Sequence, residues 1–135
     1  MNALDLEARK LQILIVDDEV DNRELLQIVL KWAGYATSLA ASGEQALLSA
    51  AAVRPDLILV DLMMPGMDGC QLTALFKQNP KTRGIPVIML SAMNDSATRK
   101  RALGIGAAAY ISKPIDRSEL CEQVRTVLGL EQRQV

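Results

Sequence analysis

Short apolar runs alternate with amphipathic stretches from residue 11 onward. Leu11-Gln12-Ile13-Leu14-Ile15-Val16 is a β-branched run that ends on two aspartates. A strand buried on both faces of a parallel sheet reads this way. Between Val20 and Ala33, apolar residues recur at Leu25, Ile28, Val29 and Trp32. That is the i, i+3, i+4, i+7 spacing of a helix, and Gly34 supplies a stop. Tyr35–Leu39 predicts a weaker second strand. Ser42 predicts the N-cap of a helix through Ala52, with Glu44 in its first turn.

Pro55-Asp56 breaks the pattern before Leu57-Ile58-Leu59-Val60, a third strand that ends on Asp61. Met63-Met64-Pro65-Gly66-Met67-Asp68-Gly69 is a turn-rich loop, and a third helix follows from about Asp68 to Gln78. Pro86–Leu90 predicts a fourth strand that ends on Ser91. Asn94 or Asp95 is suited to cap a helix to about Leu103, after which Gly104 and Gly106 mark a break. Ala107–Ile111 predicts a short fifth strand leading into Lys113-Pro114. Asp116 caps a last helix to Leu128, closed by Gly129. Five strands alternating with five helices imply an α/β domain with a parallel sheet. The expected organisation is an N-terminal extension over 1–10, one domain over 11–130 and a polar tail over 131–135.

Composition narrows the function. The chain has 135 residues, half of them apolar, enough for one well-buried domain. No apolar stretch approaches the ~20 residues that span a membrane. Met1–Lys10 has no signal-peptide pattern, so a cytoplasmic location and no membrane partner are expected. Fifteen basic against sixteen acidic residues leave a net charge of −1, which argues against a direct nucleic-acid binder. Cys70 and Cys121 form no CxxC pair and read as reduced helix residues. The absence of histidine removes Ser-His-Asp and Cys-His nucleophilic chemistry and the usual zinc ligand sets.

Four of the five predicted strands end on polar residues, which a core does not need. These are Asp17 and Asp18, Asp61, Ser91 and, two residues past the fifth strand, Lys113. The second strand ends on Ala40-Ala41 and contributes nothing. Open α/β sheets bind ligands at the carboxyl ends of their strands, beside the point where strand order reverses. In a flavodoxin-like (βα)5 three-layer sandwich with parallel order 2-1-3-4-5, strands one, three, four and five are neighbours about 4.8 Å apart. The five polar residues then converge on one pocket, and the silent strand is the one at the edge. Three carboxylates so close repel one another by about 4 kcal/mol per pair at ~4 Å and an effective dielectric of ~20. A hard divalent cation with oxygen ligands relieves this. Such an ion, a lysine and a nucleophilic carboxylate together suit transfer of a phosphoryl group.

At these residues the chain resembles the receiver domains of bacterial two-component response regulators, over about Leu11 to Leu128. The matching pieces are Val16-Asp17-Asp18-Glu19, Asp61 through Gly69, Ser91-Ala92 and Lys113-Pro114. The resemblance implies that Asp61 is the phosphoacceptor. It implies that Asp18, Asp61 and the backbone carbonyl of Met63 hold Mg2+ (or Mn2+) directly, and Asp17 through a water. Ser91 and Lys113 would contact the phosphoryl group, and Tyr110 would be the aromatic switch. Pro114 would follow a cis peptide bond, and Pro65 and Gly66 would shape the loop after the acceptor. Met63 and Met93 would occupy the positions that tune dephosphorylation, and two apolar side chains there imply a slow one. The implied donor is a phosphohistidine on a histidine kinase or histidine phosphotransfer protein. The implied listener is a downstream effector protein or a homodimer partner.

The bulk readings stand beside these. Trp32 reads as core or, on the receiver pattern, as a surface contact. Arg99-Lys100-Arg101 reads as a solvated helix face or part of a signalling surface, and Met64 and Met67 as loop packing. A receiver is a switch that acts only on itself and is not otherwise an enzyme. The alternative is the same module within a longer regulator bearing a DNA-binding or cyclic-dinucleotide output domain. An aspartate-nucleophile phosphohydrolase fits worse, because its pattern needs an aspartate two residues after the nucleophile on the first strand, and Asp17 is followed by Asp18-Glu19. No GxGxxG or GxxxxGK[ST] nucleotide loop is present.

Overall fold

In the computed structural model, which describes residues 10–130, the five strands and five helices alternate along the chain. They are β1 (Gln12–Val16), α1 (Val20–Trp32), β2 (Ala36–Ala40), α2 (Gly43–Ala52), β3 (Leu57–Asp61), α3 (Gly69–Gln78), β4 (Val87–Ser91), α4 (Ser96–Ile105), β5 (Ala109–Ser112) and α5 (Arg117–Val127). All neighbouring strands pair in parallel, in the order β2-β1-β3-β4-β5. This is the flavodoxin-like (βα)5 arrangement expected from the alternation. The predicted tail and all but Lys10 of the predicted extension lie outside the described residues.

The apolar runs are continuous because helices cover both faces of the sheet. Leu14, Val16, Ile58 and Val60 point to one layer, where they meet Ala46 and Ala50 of α2 and Leu72 and Phe76 of α3. Ile13, Ile15, Leu57, Leu59, Ile88 and Leu90 point to the other, against Leu26 and Leu30 of α1 and Leu120 and Val124 of α5. Each fully buried leucine or isoleucine contributes about 1.5–3 kcal/mol. Leu57–Val60 are all buried, so β3 is a rigid central platform with Asp61 at its end.

Local signals set most of the boundaries. Ser42 Oγ accepts from Gln45 N at 3.2 Å, Asp95 Oδ2 from Thr98 N at 3.0 Å, and Asp116 Oδ1 from Ser118 N at 2.8 Å. Asp68 and Gln71 form a reciprocal capping box at the start of α3. Of the two caps expected for α4, Asp95 is the one used. That helix runs through Gly104 to Ile105, beyond the expected end at Leu103. Consequently β5 begins at Ala109 rather than Ala107, and Lys113 follows it directly. Both cysteines are free, Cys70 in α3 and Cys121 in α5.

The spacing marked α1 as a helix but not which side is buried. The stripe Leu25, Ile28, Val29, Trp32 is not its core face, and of the two readings of Trp32 the surface one holds. Leu26 and Leu30 are buried there, while Leu25, Ile28 and Trp32 are 58, 55 and 87% exposed. Only Val29 of the four packs against the core. The helix carries two apolar stripes one residue apart, and both satisfy helical spacing. The angle at which α1 leaves the sheet decides which one is buried, and α1 itself carries no record of that angle.

Candidate functional site

The carboxyl edge of the sheet collects the polar strand ends. Asp17 and Asp18 follow β1, Asp61 ends β3, Ser91 ends β4 and Lys113 follows β5. Carboxylate oxygens of Asp17, Asp18 and Asp61 lie within 4.8 Å of one another. Asp17 and Asp61 are buried and Asp18 is exposed. Lys113 Nζ stands between the buried pair, 3.5 Å from Asp17 Oδ2 and 3.4 Å from Asp61 Oδ1. Its backbone N–H donates to the Ser91 carbonyl at 2.8 Å, which fixes the start of the lysine side chain to the neighbouring strand. The Lys113–Pro114 peptide is cis.

Burial pushes the Asp61 carboxyl up from its ordinary value; the Lys113 ammonium counteracts this, and the Asp17 charge adds to it. The Met63 backbone N–H donates to Asp61 Oδ1 at 3.3 Å. In Asp17, Oδ1 accepts from Glu19 N at 2.9 Å, but Oδ2 is buried without a hydrogen-bond partner. A buried carboxylate oxygen with no hydrogen bond, and only an ammonium 3.5 Å away, is incompletely compensated and costly. One ammonium at 3.4–3.5 Å from two carboxylates does not balance a three-carboxylate cluster. The bare oxygen and the all-oxygen donor set therefore fit a hard divalent ion such as Mg2+ or Mn2+.

Ser91 is buried, and its Oγ accepts from Met93 N at 3.0 Å. Tyr110 is buried among Leu62, Cys70, Met89, Ala102 and Ala107, and its hydroxyl donates to the Met93 carbonyl. The segment that leaves Ser91 is thus held at Met93 by both the serine and the tyrosine. Arg99 lies over the Tyr110 ring at 5.2 Å, a cation–π distance, so at least this residue of the basic run is more than a solvated face. Met63 and Met93 are 58 and 43% exposed beside the pocket, while Met64 is buried and Met67 packs against the core.

Two contributors were not singled out in the sequence. Arg23 Nη1 donates to the Asp17 carbonyl at 2.7 Å; only its place six residues after the acid hinted at this. Gly69 lies against the backbone that carries Asp61. A Cβ there meets the Asp61 carbonyl oxygen at 2.7 Å and Leu62 Cα at 2.8 Å. Gly66, by contrast, is needed for its backbone, at φ +75°. Gly69→Ala is expected to displace the β3–α3 junction and cost about 1–3 kcal/mol of stability. Its Mg2+ affinity should fall as well. Thermal melts and a Mg2+ titration test this; wild-type values in both would refute the close-approach argument.

The sequence profile of the family described as "Response regulator receiver domain" matches residues 13–125. The chain is 37% identical to the DNA-binding response regulator MtrA of Mycobacterium tuberculosis, over 91% of this chain and 53% of MtrA. It is 41% identical to the response regulator PleD of Caulobacter vibrioides, over 86% of this chain and 26% of PleD. It therefore spans about half the length of the first of these curated relatives and about a quarter of the second. Among solved structures, it resembles the receiver domain of sensor histidine kinase PA1611 from Pseudomonas aeruginosa, which carries a magnesium ion in its active-site cleft. That match has a TM-score of 0.82 and 32% identity, and covers 90% of this chain and 99% of the other.

Proposed function

Because the chain belongs to the response-regulator receiver domain family, we propose that Asp61 accepts a phosphoryl group from a partner's phosphohistidine and so switches a protein-binding surface. The observation that carries this reading is the Lys113 ammonium, 3.5 and 3.4 Å from buried Asp17 and Asp61, beside a third carboxylate at the sheet's carboxyl edge. On this reading Asp18, Asp61 and the Met63 carbonyl would hold Mg2+ (or Mn2+) directly, and Asp17 through water; bound there, the ion would supply positive charge to the oxygens of the transferring group. An Asp61 oxygen forms the P–O bond as the donor's P–N bond breaks, and the electron pair stays with the departing imidazole. Lys113 neutralises a phosphoryl oxygen, and the Ser91 hydroxyl turns to donate to another. That turn releases its bond from Met93 N, and Tyr110, held on the Met93 carbonyl, transmits the change to α4 and β5.

The chain has no histidine, so the proposed donor is a separate group on a histidine kinase or phosphotransfer protein. The domain's chemistry is confined to its own phosphorylation and dephosphorylation, and its site of action is the cytoplasm. Among the described residues no helix is long and apolar enough to cross a membrane. The domain works through protein contacts, to an effector or a second copy; it does not read DNA itself. MtrA and PleD extend well beyond the matched region, so the same switch also suits a longer regulator with its own output domain.

Incubation with Mg2+ and acetyl phosphate is expected to add the mass of one phosphoryl group, and a chelator to prevent it. No gain with Mg2+ present would sink the proposal. The phosphorylated form should be long-lived, because Met63 and Met93 offer no group to orient an attacking water. Met63→Asn is expected to shorten the lifetime by on the order of tenfold, followed by decay of the mass-shifted species. A wild-type half-life of only seconds would count against this.

A further inference from the structure

We propose that Arg23 is a positioning residue for the metal and phosphoryl pocket: its guanidinium holds the peptide plane between Asp17 and Asp18 in the orientation that aims both carboxylates inward. The inference rests on the phosphoacceptor reading above but concerns a residue that reading does not use. Arg23 lies one turn into α1 and reaches back over the loop that leaves β1, where Nη1 donates to the Asp17 carbonyl oxygen at 2.7 Å. A peptide unit is planar, so a grip on that oxygen sets the whole plane between the two acids.

The rest of the turn shows why the grip matters. Asp17 N donates to the Ala40 carbonyl at 3.1 Å, which holds the strand side of the residue. Its Oδ1 accepts from Glu19 N at 2.9 Å, which closes the turn. Arg23 N donates to the Glu19 carbonyl at 3.0 Å and anchors the arginine's own backbone to the same turn. The Asp17 carbonyl is the one backbone group in the turn held by a side chain from the following helix; the other side-chain bond, from Asn22 Nδ2, goes to the Glu19 carboxylate. Asp18 is exposed, so its placement relies on its backbone more than on packing. The preceding peptide plane places the Asp18 Cα from which that side chain departs, and that plane is held by Arg23.

Charge and position make opposite predictions. Arg23 is a cation near a site that binds a cation. If its effect were electrostatic only, removing it would tighten Mg2+ binding. If it positions the acids, removing it weakens binding. Residues that orient metal ligands typically change affinity by about 10- to 100-fold when mutated.

The test is calorimetric titration of Mg2+ into the full chain, wild type against Arg23→Ala and Arg23→Lys, with phosphoryl uptake from acetyl phosphate measured in parallel. Arg23→Ala should lose affinity by about tenfold or more and take up phosphoryl groups correspondingly slowly. Arg23→Lys, which keeps a donor of similar reach, should recover most of both. A residue that merely stabilised the fold would lower the melting temperature without this rescue of metal affinity. Equal or tighter Mg2+ binding by Arg23→Ala overturns the positioning role while leaving the phosphoacceptor reading intact. Failure of the wild type itself to bind Mg2+ and gain a phosphoryl group overturns both.

Discussion

Asp61→Asn is expected to take up no phosphoryl group under conditions where the wild type does, and to melt at a higher temperature than the wild type when no metal is present. The first half follows from chemistry. An amide keeps the shape and can keep the bond from Met63 N to the side-chain oxygen, but it is not a nucleophile for phosphorus. The second half follows from where the carboxylate sits. Burial raises the Asp61 pKa, Lys113 opposes the rise and Asp17 reinforces it. A carboxyl whose folded pKa is raised contributes stability that is fully present below its unfolded pKa. That contribution is lost as pH rises through the folded value. At neutral pH and without metal, the ionised Asp61 therefore costs stability that asparagine does not. The gap between variant and wild type should open from acidic to neutral pH. Mg2+ should reverse the order, since it stabilises the protein that binds it better. Melts across pH, with and without Mg2+, and intact mass after acetyl phosphate treatment decide this. A phosphorylated variant, or a metal-free wild type more stable than the variant at neutral pH, contradicts it.

Lys113→Met is expected to bind Mg2+ more tightly and to be phosphorylated far more slowly. The ammonium sits 3.5 and 3.4 Å from two of the three acids, so lysine and metal compete for one set of negative charges. Unit charges ~4 Å apart interact by about 4 kcal/mol at an effective dielectric of ~20. The lysine side chain is 22% exposed, and solvent screens part of this. Even a fraction of it changes affinity about tenfold, since 1.4 kcal/mol suffices. Phosphoryl transfer should move the other way, by about 10²–10³-fold, the usual loss when one preorganised charge partner of a transition state is removed. The opposed signs separate this from general damage, which weakens both. Metal titration and the rate of mass gain are the two readouts. Weaker Mg2+ binding, or an unchanged phosphorylation rate, would contradict the competition.

Much of the site was legible because its signals are local. A strand buried on both faces is a continuous apolar run, so a polar residue at its end stands out, as at Asp61 after Leu57–Val60 and Ser91 after Val87–Leu90. Caps are equally local: Ser42, Asp68, Asp95 and Asp116 each bond a backbone N–H within three residues. The buried face of α1 was not legible, because two local answers were equally good. Leu25, Ile28 and Trp32 make as regular a stripe as Leu26 and Leu30, and the choice depends on a neighbour distant in sequence, the sheet.

By itself, then, the chain's order of apolar and polar residues determined the alternation of strands and helices, the parallel sheet and the strand ends that carry chemistry. These follow from spacing along the backbone, which a sequence records directly. Only the tertiary structure decided that Lys113 stands between Asp17 and Asp61. The same holds for the bare Oδ2 of Asp17, the return of Arg23 to the carbonyl before Asp18, the closeness of Gly69 to the backbone of Asp61, and the exposed side of α1. Each depends on the direction in which one element leaves another, and that direction is set by packing across the sheet.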